Sequence, residues 1–414
     1  MEVFEVGGAV RDSLLDRPIT ERDWVVVGSN PTELQELGYR QVGKDFPVFL
    51  HPQTGEEYAL ARTEKSVAPG YHGFSFDISA EVSLEQDLGR RDLTINAMAR
   101  NRNGELVDPF GGQDDLKARV LRHTSEAFTE DPLRILRVAR FAARFKELSF
   151  TIAAPTMTLM RQMVEAGEAD TVRPERVWQE TEKALAEDRP DIYFETLREC
   201  GALAVVFPEI DALFGVPQPP RWHPEIDTGI HTLMCVRVAA TLSTDIAVRF
   251  AALTHDLGKA LTPASILPRH SGHEERSVKI LDEFCTRLPV PRRHQELALA
   301  VARHHGVVHR ADELRPGTVL KLIEAVDGIR RPERFEAMLT ACEADARGRA
   351  GLEASDYPQR PRLRRALQAA LDVDSKPLAE TSQGPELGAA VRAARLAAIG
   401  EALQDQSPND LGER

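Results

Sequence analysis

The sequence is poor in cysteine. Its 414 residues hold four, at positions 200, 235, 285 and 342, and no two form a C-x-x-C pair. That spacing excludes a disulfide framework and a zinc ribbon, and fits reduced thiols in a cytoplasm. No apolar run reaches about 18 residues, so no membrane-spanning helix is expected. The first ten residues lack the basic stretch and long apolar core of a secretion signal. Positive charge is also short, since 52 Lys and Arg stand against 65 Asp and Glu, a net charge of −13. This argues against non-specific coating of DNA, while a local basic face can still hold RNA. No internal repeat or long low-complexity segment occurs. What remains is an ordinary globular composition, long enough for two to four domains.

The chain is organised around its first 27 residues. Val3–Val6 reads as a strand, Gly7-Gly8 breaks it, and Ala9–Leu15 reads as a helix start. Two glycines at such a turn let backbone N–H groups come close to a phosphate. Gly8 and Arg11 are therefore candidate phosphate-binding residues. Asp23–Val27 reads as a second strand. Glu21 and Asp23 are two residues apart at its start, so both carboxylates point to one side and can share a metal. Hard oxygen ligands beside a phosphate cradle suit Mg²⁺ and a nucleoside triphosphate.

This opening resembles that of the polymerase-β-like nucleotidyltransferases, and most of all the bacterial class II tRNA nucleotidyltransferases, the CCA-adding enzymes. The resemblance implies a small α+β head with a mixed sheet, in which Glu21 and Asp23 are the catalytic metal ligands. One departure is visible: the family's first carboxylate is commonly Asp, and Glu21 is one methylene longer.

Further along, Asn30-Pro31-Thr32 marks a helix start and Gly38 its stop. Phe46–His51 and Glu56–Arg62 read as a hairpin. Glu57 and Glu64 are each either a third metal carboxylate or a surface residue. Lys65–Phe76, with one proline and two glycines, reads as a loop over the site. Arg90-Arg91-Asp92 then offers two cations for a triphosphate and a carboxylate for ribose hydroxyls. With Asn96-Ala97 it matches the family's R-R-D-x-x-x-N-A motif, which implies that Arg91 contacts phosphates and Asp92 helps read the ribose.

Beyond residue 123 strand signals almost vanish. Glu130–Arg134 opens a long helix whose Arg134, Arg137, Arg140 and Arg144 fall on one stripe. The helix start matches the family's nucleobase-reading motif. Asp131 and Arg134, at i and i+3, would accept from an amino group and donate to a ring acceptor, a pattern shared by cytosine and adenine. The resemblance adds Arg137 and Arg140 as contacts to CTP or ATP. Residues near 150–225 read as a helical body with starts at Thr171–Trp178 and Arg189–Asp191. Pro217–Pro220 reads as a linker.

Most of the histidines follow. His231 lies in a helical run over Thr228–Leu242, and His255-Asp256 ends another over Ala247–Leu257. His270 and His273 fall in a Pro/Gly-rich loop, while His304, His305 and Asp345 lie on later helices. Imidazoles and carboxylates from separate helices suit a divalent transition metal. The order resembles the HD phosphohydrolases, with His231, His255, Asp256 and Asp345 as metal ligands, nickel as one candidate ion, and His273 and His305 as candidate additions. Head plus HD domain resembles the multifunctional CCA proteins, which pair CCA addition with 2′,3′-cyclic phosphodiesterase and phosphatase activity.

The sequence thus predicts a head (1–122), a helical neck and body (123–224), an HD domain (225–350) and a helical tail (351–414). The tail's basic run, Gln359–Arg365, is open to a tRNA or a solvent role, and Asp405–Arg414 reads as a fraying end. The expected activity is template-independent addition of CCA to tRNA from CTP and ATP, in a cytoplasmic monomer or homodimer without membrane or DNA partners. The rivals are a poly(A) polymerase, an HD hydrolase whose head only senses nucleotide, and a non-catalytic RNA-binding module, which would need neither metal set.

Overall fold

The computed structural model describes residues 1–42, 48–66, 74–77 and 79–404. They form two compact units: residues 1–184 with 192–206, and 185–191 with the chain from 207 onward.

The first unit begins with β1 (Glu2–Val6), α1 (Gly8–Leu14), β2 (Asp23–Val27), α2 (Pro31–Glu36), β3 (Arg40–Val42), β4 (Val48–Leu50) and β5 (Glu57–Leu60). A hairpin of β6 (Thr63–Ser66) and β7 (Phe74–Asp77) follows, then α3 (Leu84–Gly89), β8 (Ala99–Asn101) and β9 (Leu106–Val107). The main sheet runs β3-β4-β5-β2-β1-β8-β9. It is mixed, because β2 lies parallel to β5 while β1 is antiparallel to both its neighbours. Register decides which residues share a face. Val3 pairs with Val26, Phe4 with Val25. Val3 and Val26 pack with Leu34, Phe49 and Tyr58 on one side of the sheet. Phe4 and Val25 pack with Leu88, Ala97 and Ala99 on the other. Both faces are covered, so β1 needs apolar residues at consecutive positions.

The expected helix after Asn30 is α2, capped by that residue's side chain on the Glu33 amide. The expected hairpin over 46–62 is β4 with β5. The stretch read as a loop, Lys65–Phe76, has its flanks paired as β6 and β7, and residues 67–73 lie outside those described. The side chain of Glu64 also lies outside them.

Continuing the first unit are α4 (Gly112–Ala118), α5 (Leu133–Arg144), α6 (Ala154–Glu165), α7 (Pro174–Ala186), α8 (Pro190–Glu199) and α9 (Ala202–Val206). α5 is buried on most of its surface, Arg134 and Arg140 included. A helix buried this way can carry arginines only if carboxylates meet them.

The second unit is helical among its described residues. It contains α10 (Pro208–Asp211), α11 (Thr228–Leu242), α12 (Ile246–Thr254), α13 (His273–Arg287), α14 (Arg292–His309), α15 (Pro316–Ala325), α16 (Pro332–Arg347), α17 (Gln359–Leu371), α18 (Lys376–Thr381) and α19 (Gly384–Gln404). α11 spans the residues expected. The next helix does not continue to Leu257 but stops at Thr254, and a 3₁₀ turn follows over Leu257–Leu261. The break has a packing reason. A Cβ at Gly258 would lie 2.2 Å from the His273 carbonyl and 2.4 Å from the Ser277 amide. The chain must leave its helix there to let α13 approach.

Two loop readings change. His273 is the first residue of α13, not part of a loop. Pro217–Pro220 is no free linker, because Gln218 is buried and its Oε1 accepts from Lys259 Nζ at 2.6 Å, while the Pro217 carbonyl faces His270 Nε2 at 3.0 Å. In the tail, Arg360 and Arg364 pair with Glu336 of α16. Asp405–Arg414 lies outside the described residues. Among the described residues no helix is long and apolar enough to cross a membrane.

Candidate active sites

Asp23 opens β2, and its Cα partner in the parallel strand β5 is Glu57. Glu21 precedes the strand. Glu21, Asp23 and Glu57 line one cleft of about 440 Å³ with Thr20, Thr54 and Glu56. Burial raises the Asp23 carboxyl above its ordinary value; Arg91 opposes the rise and the Glu21 charge adds to it. Carboxylates that repel one another in one cleft form a donor set that a hard divalent cation fits.

Arg91 is held from two directions. Asp87, wholly buried in α3, takes Arg90 at 2.8 Å and Arg91 at 3.2 Å. Gly7 supplies the other constraint. Its φ is +68°, and a Cβ there would lie 2.9 Å from Arg91 Nη1. Gly8 is the first residue of α1 and meets only an ordinary contact with Arg11 Nη2. Arg11 itself is buried. It chelates Asp12 at 2.8 and 3.0 Å, donates to Asn96 Oδ1 at 2.6 Å, and lies over the Phe141 and Phe145 rings.

Asp92 is buried with both oxygens engaged. Oδ1 accepts from the Leu93 amide and Asn96 Nδ2, each at 2.9 Å, and Oδ2 accepts from Arg137 Nε at 2.7 Å. Burial raises its pKa, but Arg137 and Asn96 more than offset this and hold the carboxyl well below its usual range. Thus Asp92 fastens the R-R-D motif to α5. Arg137 also faces Glu180 of α7 at 3.8 Å, and Arg140 Nε meets Glu180 Oε2 at 2.6 Å. Arg144 reaches Asp12 at 3.1 Å. The arginine stripe is therefore knitted into carboxylates of α1, α7 and the motif, not left as a solvated face. The Asp131 carboxylate takes Arg176 of α7 at 3.1 and 2.8 Å, whereas Arg134 donates to the carbonyls of Ala127 and Arg90. These two residues each have protein partners of their own.

In the second unit, α11, the α12 end and α16 bring four expected ligands together. His231 Nε2 and Asp345 Oδ1 are 3.1 Å apart, His255 Nε2 and Asp256 Oδ2 3.1 Å, and His255 Nε2 and Asp345 Oδ1 3.6 Å. All four are buried. Neither His255 Nε2 nor Asp256 Oδ1 has a partner in hydrogen-bonding geometry. Backbone carbonyls fix the far sides of the rings: His255 Nδ1 meets Ala252 O at 2.8 Å and His231 Nδ1 meets Gly348 O at 3.0 Å. Orphaned buried ligand atoms and fixed imidazoles fit a transition-metal ion. His273 and His305 join through Nε2 atoms 3.1 Å apart, with His273 Nε2 3.2 Å from Asp256 Oδ1. Burial would raise the Asp256 and Asp345 carboxyls, yet neighbouring His255 and further cations hold both well below the usual range.

Residues 3–122 match the Poly A polymerase head domain family, residues 149–214 the probable RNA and SrmB-binding site of polymerase A, and residues 228–338 the HD domain. A multifunctional CCA protein of Thioalkalivibrio sulfidiphilus is 60% identical over 96% of this chain and 98% of its own length. The chain belongs to the multifunctional CCA protein family. A relative of the same name from Nitrosococcus oceani is 59% identical over 98% of this chain and 100% of its own length. Among solved structures, a CCA-adding enzyme in an apo form has a TM-score of 0.66 at 21% identity, covering 98% of this chain and 90% of that one. Thermotoga maritima CCA-adding enzyme complexed with tRNA has a TM-score of 0.63 at 22% identity, covering 98% and 90%. These distant structures share the fold.

Within this CCA family frame, the sequence reading passed over several supporting residues. Asp87 was legible as a carboxylate three and four residues before Arg90 and Arg91. Arg176 and Glu180 fall at i, i+4 on α7, but the partners that packing brings to them, Asp131 and Arg140, lie off that helix and had no local signal. His309, which meets Asp345 Oδ2 at 2.6 Å and the Tyr357 hydroxyl at 2.9 Å, had none. Lys259, whose Nζ lies 2.5 Å from Asp256 Oδ2, did carry the signal of a cation three residues after a carboxylate.

Proposed function

We propose that this chain adds C, C and A to the 3′ end of tRNA without a nucleic-acid template, using CTP and ATP and releasing pyrophosphate. The observation that carries the reading is Glu21 and Asp23 in one cleft, with Asp23 within electrostatic reach of Arg91. Full-length similarity to multifunctional CCA proteins supports it. Mg²⁺ bound by Glu21 and Asp23 would acidify the attacking RNA hydroxyl and offset charge building at phosphorus. Arg91, steadied by Asp87 and Gly7, neutralises the triphosphate; Gly8 and Arg11 shape its cradle. Arg137, Arg140 and Asp92 hold the reading helix against that cradle, and Asp131 with Arg134 accept cytosine or adenine on exchanging their protein partners. The work divides among a head (1–122), neck and body (123–224), HD domain (225–350) and tail (351–414), in a cytoplasmic monomer or homodimer.

The HD domain hydrolyses phosphate esters, 2′,3′-cyclic phosphates among them, with His231, His255, Asp256 and Asp345 holding a transition metal such as nickel. A metal there supplies an acidified water. Lys259 and His273, at Asp256, are placed to steady charge on the ester.

The test is sequencing of 3′ ends after incubating tRNA lacking CCA with CTP, ATP or both. Defined C, C, A ends requiring both nucleotides are expected. A long A tail made from ATP alone would identify a poly(A) polymerase, and no extension would leave the head a nucleotide sensor.

A further inference from the structure

Beside the histidine–carboxylate cluster lies a cavity of about 560 Å³, lined among others by Trp222, Lys259, His309, Arg349, Asp356 and Tyr357. Its lining joins cations to an exposed ring. Lys259 is buried and touches Asp256, while Arg349 Nη2 lies 3.8 Å from Asp345. These cations border the cluster. Trp222, in the same lining, is 57% exposed, and the Arg221 guanidinium lies 4.8 Å from its ring centroid. Asp356 is also exposed. A large exposed aromatic needs a reason when the same unit buries Phe207, Phe250, Phe284 and Phe335.

We propose that this cavity is the nucleoside subsite of the phosphohydrolase, in which Trp222 stacks the base of a nucleoside phosphate while Arg349 and Lys259 draw its phosphate toward the cluster. The volume suits one nucleotide. Stacking uses the face every base has, so the subsite takes purines and pyrimidines and selects nucleotides over simple phosphate esters. Asp356, exposed in the same lining, can accept from an exocyclic amino group, which favours adenine and cytosine. The two cations can act on the phosphate because Lys259 lies 2.5 Å from Asp256 and Arg349 3.8 Å from Asp345, beside the carboxylates that would hold the metal. The inference rests on the cluster being a phosphoester hydrolase, but its test separates the two.

The full chain has three tryptophans. Titration with adenosine 2′,3′-cyclic phosphate should quench tryptophan emission saturably. Trp222→Leu should abolish the saturable quench and raise KM for this ester roughly ten-fold, the loss of one base–aromatic stack, with kcat little changed. Trp222→Phe should restore KM to within about two-fold, because its ring still stacks. Far-ultraviolet circular dichroism of each variant checks folding. His255→Ala should lose hydrolysis but keep the quench, which separates failure of the cluster from failure of the subsite. A saturable quench surviving in Trp222→Leu, or a KM equal in wild type and Trp222→Leu, would overturn the proposal. So would glycerol 2-phosphate binding as tightly as the nucleotide.

Discussion

At the scale of residues, the head depends on one backbone position. Gly7 sits at φ +68° and ψ −126°, where a side chain is strained, and any Cβ would press on Arg91. Gly7→Ala should cost about 1–3 kcal/mol and slow CCA addition more than Gly8→Ala does, measured by thermal melting and primer-extension rate. Equal effects of the two would show that the diglycine acts only as a flexible turn. The sequence singled out Gly8. Two adjacent glycines look alike until the backbone reveals which one takes the left-handed conformation and the close contact.

At the scale of elements, α3 and α7 hold the arginines in place. Burial raises the Asp87 carboxyl, but Arg90 and Arg91 prevail and lower it below its ordinary value. A carboxyl depressed in the folded state contributes stability that is present above its unfolded pKa of about 4 and is lost as pH falls through the folded value. Acid unfolding of the head should therefore be partly a titration of Asp87. Asp87→Asn should lower stability at pH 7 by about 3 kcal/mol and flatten the acid limb of a urea-melt pH profile. An unchanged acid limb would sink this account. Glu180→Gln should loosen Arg140 and raise KM for CTP and ATP together, since both nucleotides use the same helix.

Strand pattern, helix starts and the four arginines in helical spacing were readable because each is a local periodicity. The far partners of those arginines were not. A stripe of guanidinium groups reads equally as a solvated face, and only packing brings Glu180, Asp92 and Asp12 against it. The helix stop before His255 was missed for the same reason: the close approach of α13 at Gly258 lies outside any local window.

At the scale of the whole molecule, two chemistries sit in separate compact units. Asp23→Ala should abolish CCA addition by at least about 10³-fold and leave hydrolysis of adenosine 2′,3′-cyclic phosphate intact. Asp256→Ala should do the reverse. Assays of both activities on each purified variant check this, and loss of both in a folded variant would count against independent sites.

Residue types and their spacing determined the reaction classes, because metal and phosphate chemistry needs carboxylates, imidazoles and guanidinium groups at set intervals along strands and helices. Tertiary structure alone decided which of those groups are buried, which pair, and which line an open cavity. Charge neutralisation at a distance depends on elements tens to hundreds of residues apart meeting in space, as His231 meets Asp345.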